Sequence, residues 1–569
     1  MSFDQLYRQL PREQAKLLLS DCLNELPSAW KFFTRLDHRP ALVFSSALTC
    51  MPLAFARHHS SVEVIGLSEN EQVLLRELAG LKALSNFKFL QYPREISGPY
   101  GTILLLASSA SNPAALREVI ERLDEIATGE EQWWILVRNS SLGKLSRGKA
   151  ILRRFLNGGV EKLPADIRLP FSSHDSFADA DLKSLGTRFA EPTVKVALSP
   201  DLFGPKQLAA HETQASRENF AAALRMPSST PQHLLYGVTH NGLQEAFIKR
   251  LLDALNQDAA QPWRIGKHCR VLPGGKVHLD LHRDKSLKPH IALLKLPLIP
   301  YAASRLSENS NNLIRLSRSP GIAEQRDRFP QILASGVFEH QAYFVESMLS
   351  GRSLDQLSAQ AQTQAQIERV LSFWLDLRAS TIQRVRITEQ VFVEVFSDLA
   401  TRMREWLELP DTASQRLQRV VDYWQHTFAG RELGLGLVHG DFSIKNILVD
   451  PATMHISGLI DWDLADFRSI PAIDVLHFFV RLHGQSFREV PPLIAMRLVQ
   501  DSGNEMAARY LNQAISAHGY CTEDWPAIVM YYWLFRQRGY LGSPKKIDRQ
   551  FIHQQFTQVL DIFERKFLP

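Results

Sequence analysis

Short apolar runs alternate with amphipathic stretches in the first part of the chain. Stretches of helical period, such as ENEQVLLRELAGLKAL and NPAALREVIERLDEIA, separate these runs, and the second begins with a favourable cap pair, Asn112 and Pro113. Strands that alternate with helices predict a doubly wound, Rossmann-like α/β domain with a parallel sheet. The five predicted strands begin near Ala41 and read ALVFSS, VEVIGL, FKFLQY, TILLLAS and WWILVRN.

This first domain extends beyond the five predicted strands. The run VKVALSP near Val194 predicts one more strand of the same sheet, so the domain is expected to span residues 1–208. Residues 209–262 contain polar clusters and one predicted helix, GLQEAFIKRLLDALNQ, which is typical of a connector.

The pattern changes at Trp263 to one that favours antiparallel strands. The text CRVLPGGKVHLDLH predicts two strands around a turn at Gly274 and Gly275, and HIALLKLPL predicts a third. Residues 352–430 are mostly of helical period. An α+β arrangement follows, with a β-rich part at 263–350 and a helical part at 351–569.

Composition and charge narrow the function classes. The 569 residues predict several domains, and the formal charge of +5 without a basic tail does not indicate nucleic-acid binding. The N-terminal text is polar and no run of about 18 apolar residues occurs, so neither export nor a membrane span is expected. The four cysteines lack the spacing of a disulfide framework or zinc site, which fits a reducing cytoplasm. They are Cys22, Cys50, Cys269 and Cys521.

The most informative text is LVHGDFSIKNILVD at 437–450, followed by ISGLIDWDLADF. Phosphoryl transfer requires an acceptor hydroxyl aimed in line and cations that neutralise the phosphates. Asp441 precedes a predicted strand, and Asn446 follows five residues later, so one loop can offer a base to the acceptor and an amide oxygen to a metal. Asp461 follows the next apolar strand, and a hairpin would bring its carboxylate beside Asn446, where hard oxygen ligands suit magnesium.

The segments HGDFSIKN and GLIDWD, with a further Asp downstream, resemble the aminoglycoside/choline phosphotransferase family, which shares the protein-kinase fold. The resemblance covers about residues 263–569, with 263–350 as the small nucleotide-binding lobe and 351–569 as the large lobe that carries the catalytic loop and acceptor site. It implies that Asp441 is the catalytic base and that Asn446 and Asp461 are magnesium ligands. It also implies supporting roles: His439 and Asp474 hold the catalytic loop in shape, and Asp463 is a second acidic group near the metal.

The predicted nucleotide-binding lobe contains further candidates. Lys295 lies at the end of the third predicted strand, where a lysine can reach the α- and β-phosphates, although a solvated strand-end lysine is the alternative. Glu308, which begins the helical text ENSNNLIRLSRSP, is the best partner to orient Lys295, with Glu324 as a competitor.

Two more features of this lobe have an ordinary structural alternative. AYFVESMLSGRSL resembles the strand and hinge that pair with adenine through backbone groups, so Glu346 and Met348 are candidate nucleotide contacts; a plain core strand is the alternative. The turn PGGK at 273–276 lies where a phosphate-covering loop would lie, and an ordinary hairpin explains it equally well.

The acceptor site is expected among the C-terminal helices. Residues 481–569 contain 11 basic and 8 acidic side chains, which disfavours a polycationic aminoglycoside and favours a neutral or anionic acceptor such as a sugar or glycan intermediate. The aromatic residues of YYWLFRQRGY, Tyr531 to Tyr540, could stack on a sugar ring, but at helical spacing a core stripe is favoured.

The N-terminal α/β units resemble a class I methyltransferase, and SSLGKLSRGKAILRRFL followed by LPFSSHD resembles sugar-polymer enzymes in which such a domain precedes a kinase. A working cofactor site needs glycines after the first strand and an acid at the end of the second. The first turn reads FSSALTCMP, Leu67 stands at the position of the acid, and Glu69 is a possible displaced acid. We therefore expect a degenerate domain for which S-adenosylmethionine is not a cofactor.

The sequence thus predicts a cytoplasmic kinase that uses Mg²⁺ and ATP or GTP and acts on a hydroxyl of a small molecule, sugar or glycan. Two alternatives stay open: a pseudokinase scaffold that binds partners without chemistry, and a bifunctional methyltransferase-kinase. A protein kinase is less favoured, because the HGD form resembles the small-molecule branch. The motifs specify neither the acceptor nor the oligomeric state.

Overall fold

The computed structural model of the chain divides into two units, residues 1–302 with 336–343 and residues 303–335 with 344–569. The segments SSLGKLSRGKAILRRFL and LPFSSHD, and the first 30 residues, lie outside the residues that the structure describes. The described residues are 31, 38–45, 48–106, 113–126, 132–138, 177–178, 194–198, 206–212, 233–238, 247–257, 262–272, 274–283, 292–357, 363–483, 491–500, 505–544 and 552–568.

The five predicted parallel strands are present in the first unit, in the order β5-β4-β1-β2-β3. Every residue of β1 and β4 is buried, as expected for central strands of a parallel sheet covered on both faces. The predicted Rossmann-like class of this sheet is confirmed. The strands are β1 (Ala41–Ser45), β2 (Val62–Ile65), β3 (Phe87–Leu90), β4 (Thr102–Leu106) and β5 (Gln132–Arg138).

The helices of the first unit include those predicted between the strands. The second, α2, begins with a capping box in which the Ser68 hydroxyl accepts the Glu71 N–H and the Glu71 carboxylate accepts the Ser68 N–H. The described helices are α1 (Met51–Ala56), α2 (Glu69–Leu81), α3 (Pro113–Ile126) and α4 (Phe247–Asn256).

The sheet continues past the predicted domain boundary at Leu208. Strand β9 pairs antiparallel with β5 on one side and with β7 on the other, and β7 pairs with β8, which in turn pairs with β10. The predicted connector 209–262 therefore contains β9 in addition to the expected helix α4. These strands are β6 (Phe177–Ala178), β7 (Val194–Leu198), β8 (Lys206–Glu212), β9 (His233–Val238) and β10 (Trp263–Leu272).

The predicted hairpin near residue 274 is formed by β10 and β11 (Lys276–Arg283), which pair from Trp263 opposite Arg283 to Leu272 opposite Lys276. Gly274 and Gly275 both have positive φ in the turn, a conformation that glycine adopts without steric cost. The predicted third strand, β12 (Ala292–Pro297), pairs antiparallel with β11. Strands β13 (Ile332–Phe338) and β14 (Gln341–Ser347) follow.

The second unit is predominantly helical, as expected for the larger part of a kinase-like domain. Helix α5, most of which belongs to this unit, begins at Pro300 rather than at Glu308, because proline suits the first turn of a helix. The described helices are α5 (Pro300–Arg318), α6 (Gln364–Ala379), α7 (Glu389–Phe392), α8 (Asp398–Leu407), α9 (Asp411–Phe428), α10 (Ala472–His483), α11 (Pro491–Gln500), α12 (Glu505–Ser516), α13 (Trp525–Gln537) and α14 (Gln558–Lys566).

Two small antiparallel sheets position the motif residues. One has the order β15-β18-β19 and the other β16-β17-β20. The loop 439–446 connects β17 to β18, and Asp461 follows β19. The strands are β15 (Arg352–Ser353), β16 (Gln383–Arg386), β17 (Glu432–Val438), β18 (Ile447–Val449), β19 (Ile456–Leu459) and β20 (Asp466–Ser469).

A buried aromatic cluster packs against this loop. The rings of Trp374 and Phe442 stack with centroids 4.9 Å apart, and Trp462 lies 4.5 Å from the ring of His439. Trp374, Phe442 and Trp462 are fully buried, so the loop rests on a rigid apolar base. Within the described part of the chain, no helix has the length and apolarity to cross a lipid bilayer.

Candidate active site

Asp474, in the first turn of α10, holds the start of the 439–446 loop. Its Oδ2 accepts the backbone N–H of His439 at 2.7 Å and its Oδ1 accepts that of Gly440 at 2.9 Å. Burial raises the pKa of Asp474, an effect opposed by His439, by these two hydrogen bonds and by the charge of Arg378. The role of this loop in catalysis, and with it the supporting role of Asp474, stays a prediction.

Gly440 allows the loop to turn sharply at this point. Its φ is +78°, and a β-carbon there would collide with the carbonyl oxygen of Leu464. The HGD motif therefore needs glycine at its centre for two independent steric reasons.

His439 connects the loop to the chain just before Asp461. Its Nε2 lies 3.0 Å from the carbonyl oxygen of Ile460, which can only accept, so Nε2 carries the proton. Its Nδ1 then accepts the N–H of Asp441 at 3.3 Å. The His439 ring thus connects the loop at Asp441 to Ile460, the residue before the predicted magnesium ligand Asp461, through backbone groups.

The carboxylate of Asp441 has three neighbours. Oδ1 lies 2.9 Å from Nε2 of His477 and 2.9 Å from Nη2 of Arg536, and Oδ2 accepts from Nδ2 of Asn446 at 3.1 Å. Burial disfavours the charged form, but the charge of Arg536 and the hydrogen bond from His477 outweigh it and hold the pKa of Asp441 well below its ordinary value. The side chain keeps 31% of its surface exposed, so an ionised oxygen remains within reach of a ligand.

Asn446 is oriented by Asp441. Its Nδ2 donates to the carbonyl oxygen of Asp441 at 2.9 Å as well as to Oδ2, and this pair of acceptors fixes which side of the amide is nitrogen. The amide oxygen Oδ1 is thereby directed away from Asp441. This orientation fits a hard cation, because it presents an oxygen ligand from a buried side chain.

Asp461 lies close to Asn446 along the hairpin. Strands β18 and β19 pair antiparallel, and the N–H of Ile460 donates to the carbonyl oxygen of Asn446 at 3.0 Å. Asp461 is exposed and has a left-handed backbone with φ of +69°, a strained conformation for a residue with a side chain. Strain held at an exposed carboxylate is typical of a functional site.

Two side chains of helix α5 form hydrogen bonds with the backbone of Trp462, the residue that follows Asp461. Asn309 accepts the N–H of Trp462 at 2.9 Å, and Nδ2 of Asn312 donates to the carbonyl oxygen of Trp462 at 2.8 Å. One helix face therefore fixes both backbone groups of the residue next to Asp461.

Arg305, which the sequence analysis did not identify, forms ion pairs with both Asp463 and Glu308. Nη2 of Arg305 lies 3.1 Å from Oδ2 of Asp463, and Nη1 lies 2.5 Å from Oε2 of Glu308. Glu308 occurs in the middle of α5, one turn after Arg305, and is half exposed. Asp463, the predicted second acidic group near the metal, is thus ion-paired with the guanidinium of Arg305.

The remaining nucleotide candidates are divided between the two units. Lys295 is buried on β12, opposite His278 of β11, and belongs to the first unit. Glu346 is buried on β14 in the second unit, and its Oε2 accepts from Nδ2 of Asn309 at 3.2 Å. Met348 follows with 39% exposure. Because the Glu346 carboxylate already accepts a hydrogen bond from Asn309, a nucleotide at this position would contact the backbone groups of Glu346 rather than its side chain.

The sequence analysis did not predict that Tyr532 contacts His477, or that His477 and Arg536 contact Asp441. His477 is one turn after Asp474 on α10, and Tyr532 and Arg536 are one turn apart on α13, so helical spacing would have been the only signal. Tyr531, Trp533 and Phe535 of the same helix are buried, as expected for a core stripe. In the described part of the chain, no group of three or more His, Cys, Asp or Glu side chains could hold a metal ion.

Comparison with known proteins supports the C-terminal assignment. Residues 318–510 match the model of the phosphotransferase enzyme family, which confirms the predicted family for this part of the chain. No curated protein matches the sequence.

Solved structures also show similarity to the chain. The aminoglycoside phosphotransferase APH(3'')-Id from Streptomyces rimosus is 17% identical over 50% of this chain and 96% of its own, with a TM-score of 0.31. An aminoglycoside-3'-phosphotransferase of type VIII is 18% identical over 50% and 96%, with a TM-score of 0.31. The bifunctional kinase-methyltransferase WbdD is 13% identical over 97% and 92%, with a TM-score of 0.24.

Proposed function

We propose, from the premise that residues 318–510 form a phosphotransferase-family domain, that this protein moves the terminal phosphoryl group of ATP or GTP to a hydroxyl of a small molecule, sugar or glycan intermediate. The observation that carries the proposal is the Asp441–Asn446 pair. One loop presents an ionised carboxylate, and the adjacent amide has its oxygen directed away from that carboxylate.

Asp441 is proposed as the catalytic base. A carboxylate with a lowered pKa is a weak base, but phosphoryl transfer passes through a loose transition state in which little proton transfer is needed early. Its task is to hold the acceptor hydroxyl in line and to take the proton as the oxygen–phosphorus bond forms. Its partial exposure gives an acceptor access to it.

Asn446 and Asp461 are proposed to hold magnesium. Both offer hard oxygen ligands, and the backbone hydrogen bond between Ile460 and Asn446 keeps their segments adjacent. When bound, the ion neutralises charge on the nucleotide phosphates. Asp463 is a less suitable ligand, because it is already ion-paired with Arg305.

The charges near Asp441 favour a neutral or anionic acceptor. Arg536 contacts Asp441, and the charge of Arg481, one turn after His477 on α10, acts on both His477 and Tyr532. A polycationic aminoglycoside would meet repulsion here. We therefore propose a sugar or glycan hydroxyl as the acceptor, in the cytoplasm where ATP or GTP is available.

The N-terminal sheet is proposed to be a methyltransferase-like domain that no longer methylates. Leu67 is buried two residues after β2, at the position where a ribose-binding acid would stand, and Glu69 is exposed in the first turn of α2. Calorimetric titration with S-adenosylmethionine tests this proposal, and micromolar binding would instead support a bifunctional enzyme.

An Asp441→Asn variant tests the kinase proposal. Wild-type protein is incubated with Mg·ATP or Mg·GTP and a panel of sugars, nucleotide sugars, amino alcohols and glycan fragments, and nucleotide consumption is followed. The variant should bind nucleotide within about threefold of wild type but lose turnover by about 10³-fold or more.

Asp450→Asn is the matched control, because Asp450 is an exposed turn residue whose Oδ1 accepts two backbone N–H groups, and an asparagine oxygen can do the same. The control should keep wild-type turnover. A wild-type protein that is inert across the whole panel would favour the pseudokinase alternative.

A further inference from the structure

A buried chain of hydrogen bonds leads from helix α13 to Asp441. The hydroxyl of Tyr532 lies 2.9 Å from Nδ1 of His477, and Nε2 of His477 lies 2.9 Å from Oδ1 of Asp441. His477 and Tyr532 are only 3% and 2% exposed. A polar chain this deeply buried has to be fully hydrogen-bonded, so its geometry is well defined.

The direction of the chain follows from the chemistry of its ends. A carboxylate only accepts, so the His477 ring presents Nε2–H to Asp441, and Nδ1 accepts the Tyr532 O–H. Burial and the charges of Arg536 and Arg481 lower the pKa of His477 to about 4 against the opposing effect of Asp441, which keeps the ring neutral near pH 7. Burial also raises the pKa of Tyr532, so its proton stays in place.

Among the described residues, no further hydrogen bond continues the chain from the Tyr532 hydroxyl toward solvent. Tyr532 ends it inside the apolar core of the second unit, on a helix whose neighbouring residues Tyr531 and Trp533 are also buried. A proton taken by Asp441 cannot continue through His477 to water. The chain therefore acts on the orientation of Asp441.

The two oxygens of Asp441 are used differently. Oδ1 is held by both His477 and Arg536, whereas Oδ2 receives only the longer hydrogen bond from Asn446 among the described residues. We propose that His477, oriented by Tyr532, is a positioning residue that locks the Asp441 carboxylate so that Oδ2 receives the acceptor hydroxyl.

This inference rests on the proposed function. The acceptor oxygen forms a bond to the terminal phosphorus of the nucleotide, and its proton passes to Oδ2 of Asp441. The bond from that phosphorus to the bridging oxygen breaks, and its electron pair stays on the nucleoside diphosphate. Rotation of the carboxylate would replace Oδ2 by an oxygen that is already bonded, so the loss of His477 should affect kcat rather than nucleotide binding.

Substitutions at position 477 test the proposal with Mg·ATP and the panel compound that reacts fastest. His477→Leu removes the donor at similar volume, and kcat should fall about 30- to 100-fold, with KM for ATP within about twofold of wild type. The kcat of His477→Gln should be within about fivefold of the wild-type kcat, because a glutamine Nε2 can still donate to Oδ1 of Asp441. The kcat of Tyr532→Phe should fall less than that of His477→Leu, because the Asp441 carboxylate alone still selects the Nε2–H tautomer of His477.

Matched controls separate catalysis from folding. His455→Gln alters an exposed histidine after the β18 turn and should leave kcat unchanged. Tyr520→Phe removes a buried hydroxyl that donates to the carbonyl oxygen of Gly434 and should cost stability without lowering kcat. Circular dichroism and thermal unfolding identify any variant that fails to fold.

Nitrogen-15 NMR of histidine-labelled protein reads the tautomer without an activity assay. The resonances that disappear in His477→Gln identify the ring, which should be neutral and protonated at Nε2 at pH 7. A charged ring, an Nδ1–H ring, or a His477→Leu enzyme with wild-type kcat overturns the inference while the kinase function stands. A wild-type protein without transfer activity overturns both.

Discussion

Asn309 accepts the backbone N–H of Trp462 on its side-chain oxygen at 2.9 Å. The other end of the same amide donates to Glu346 at 3.2 Å, so both ends of a buried side chain are in use. The residue before Trp462 is Asp461, whose left-handed backbone is strained. A strained conformation persists only when its surroundings hold it, so helix α5 helps to present the Asp461 carboxylate.

Asn309→Ala should weaken the response to magnesium. The Trp462 N–H loses its acceptor and Asp461 can relax, which at about 1 kcal/mol for one hydrogen bond corresponds to about a fivefold higher Mg²⁺ requirement for nucleotide binding. Titration of MgCl₂ at fixed ATP, followed by calorimetry, measures this requirement. Asn512→Ala, on the exposed face of α12, is the control. An unchanged Mg²⁺ requirement in Asn309→Ala would contradict the role given to α5.

Gly440→Ala should be far more harmful than Gly430→Ala. Both glycines have similar positive φ, +78° and +77°, so both substitutions carry the strain of about 1 kcal/mol that a side chain suffers there. Only at Gly440 does the added β-carbon also meet backbone, whereas Gly430 has open space around it. In chemical denaturation, Gly440→Ala should lower the free energy of unfolding by at least about 1–3 kcal/mol more than Gly430→Ala does. Equal losses would show that the loop accommodates a β-carbon by moving.

Local pattern was enough to predict the five parallel strands, the hairpin near residue 274 and the loop that contains the candidate site. The parallel strands are short apolar runs between capped helices, and Asp441 and Asn446 are only five residues apart on one loop. Features that depend on distant contacts could not be predicted. Strand β9 inserts between β5 and β7, and nothing within its own six residues specifies those neighbours.

The same limit explains the missed residues around Asp441. His477 reaches Asp441 across 36 residues, and Tyr532 reaches His477 across 55. A buried histidine or tyrosine at helical spacing has the same sequence pattern whether it packs in a core or holds a carboxylate. Arg305 was missed for a similar reason, because its partner Asp463 lies on a segment far along the chain.

Asp474→Asn should strongly destabilise the second unit. An asparagine offers one acceptor where the carboxylate serves two N–H groups, and the buried guanidinium of Arg378 loses a compensating charge. A buried N–H that loses its acceptor costs about 1–3 kcal/mol, and the lost charge compensation for Arg378 adds to this loss. Asp466→Asn, which breaks the partly exposed pair with Arg538, should cost about 1 kcal/mol or less in the same denaturation experiment.

A double variant isolates the Arg378 contribution. If an uncompensated charge causes the loss, Asp474→Asn combined with Arg378→Met should be less destabilised than the two single losses added together. Strict additivity would show that the hydrogen bonds to the loop, and not the charge of Arg378, account for the effect.

The stability of the second unit should depend on pH through His477. Its pKa is about 4 in the folded protein, because of burial and the charge of Arg536, against 6.5 in the unfolded chain. Between pH 6.5 and 4 the unfolded chain therefore takes up a proton that the folded protein does not, so stability falls as pH falls, by up to about 1.4 kcal/mol per pH unit. Above pH 6.5 this contribution is constant.

Comparison of wild type with His477→Gln isolates this contribution, because glutamine does not titrate. Hydrogen exchange of the β17 amides, measured for both proteins at each pH, gives the difference in opening free energy of the second unit. Wild type should lose stability relative to His477→Gln as pH falls from 6.5 toward 4, and the exposed-site control His455→Gln should follow wild type. A pH-independent difference would mean that the folded protein takes up the His477 proton over the same pH range as the unfolded chain, so that the pKa of His477 is not lowered.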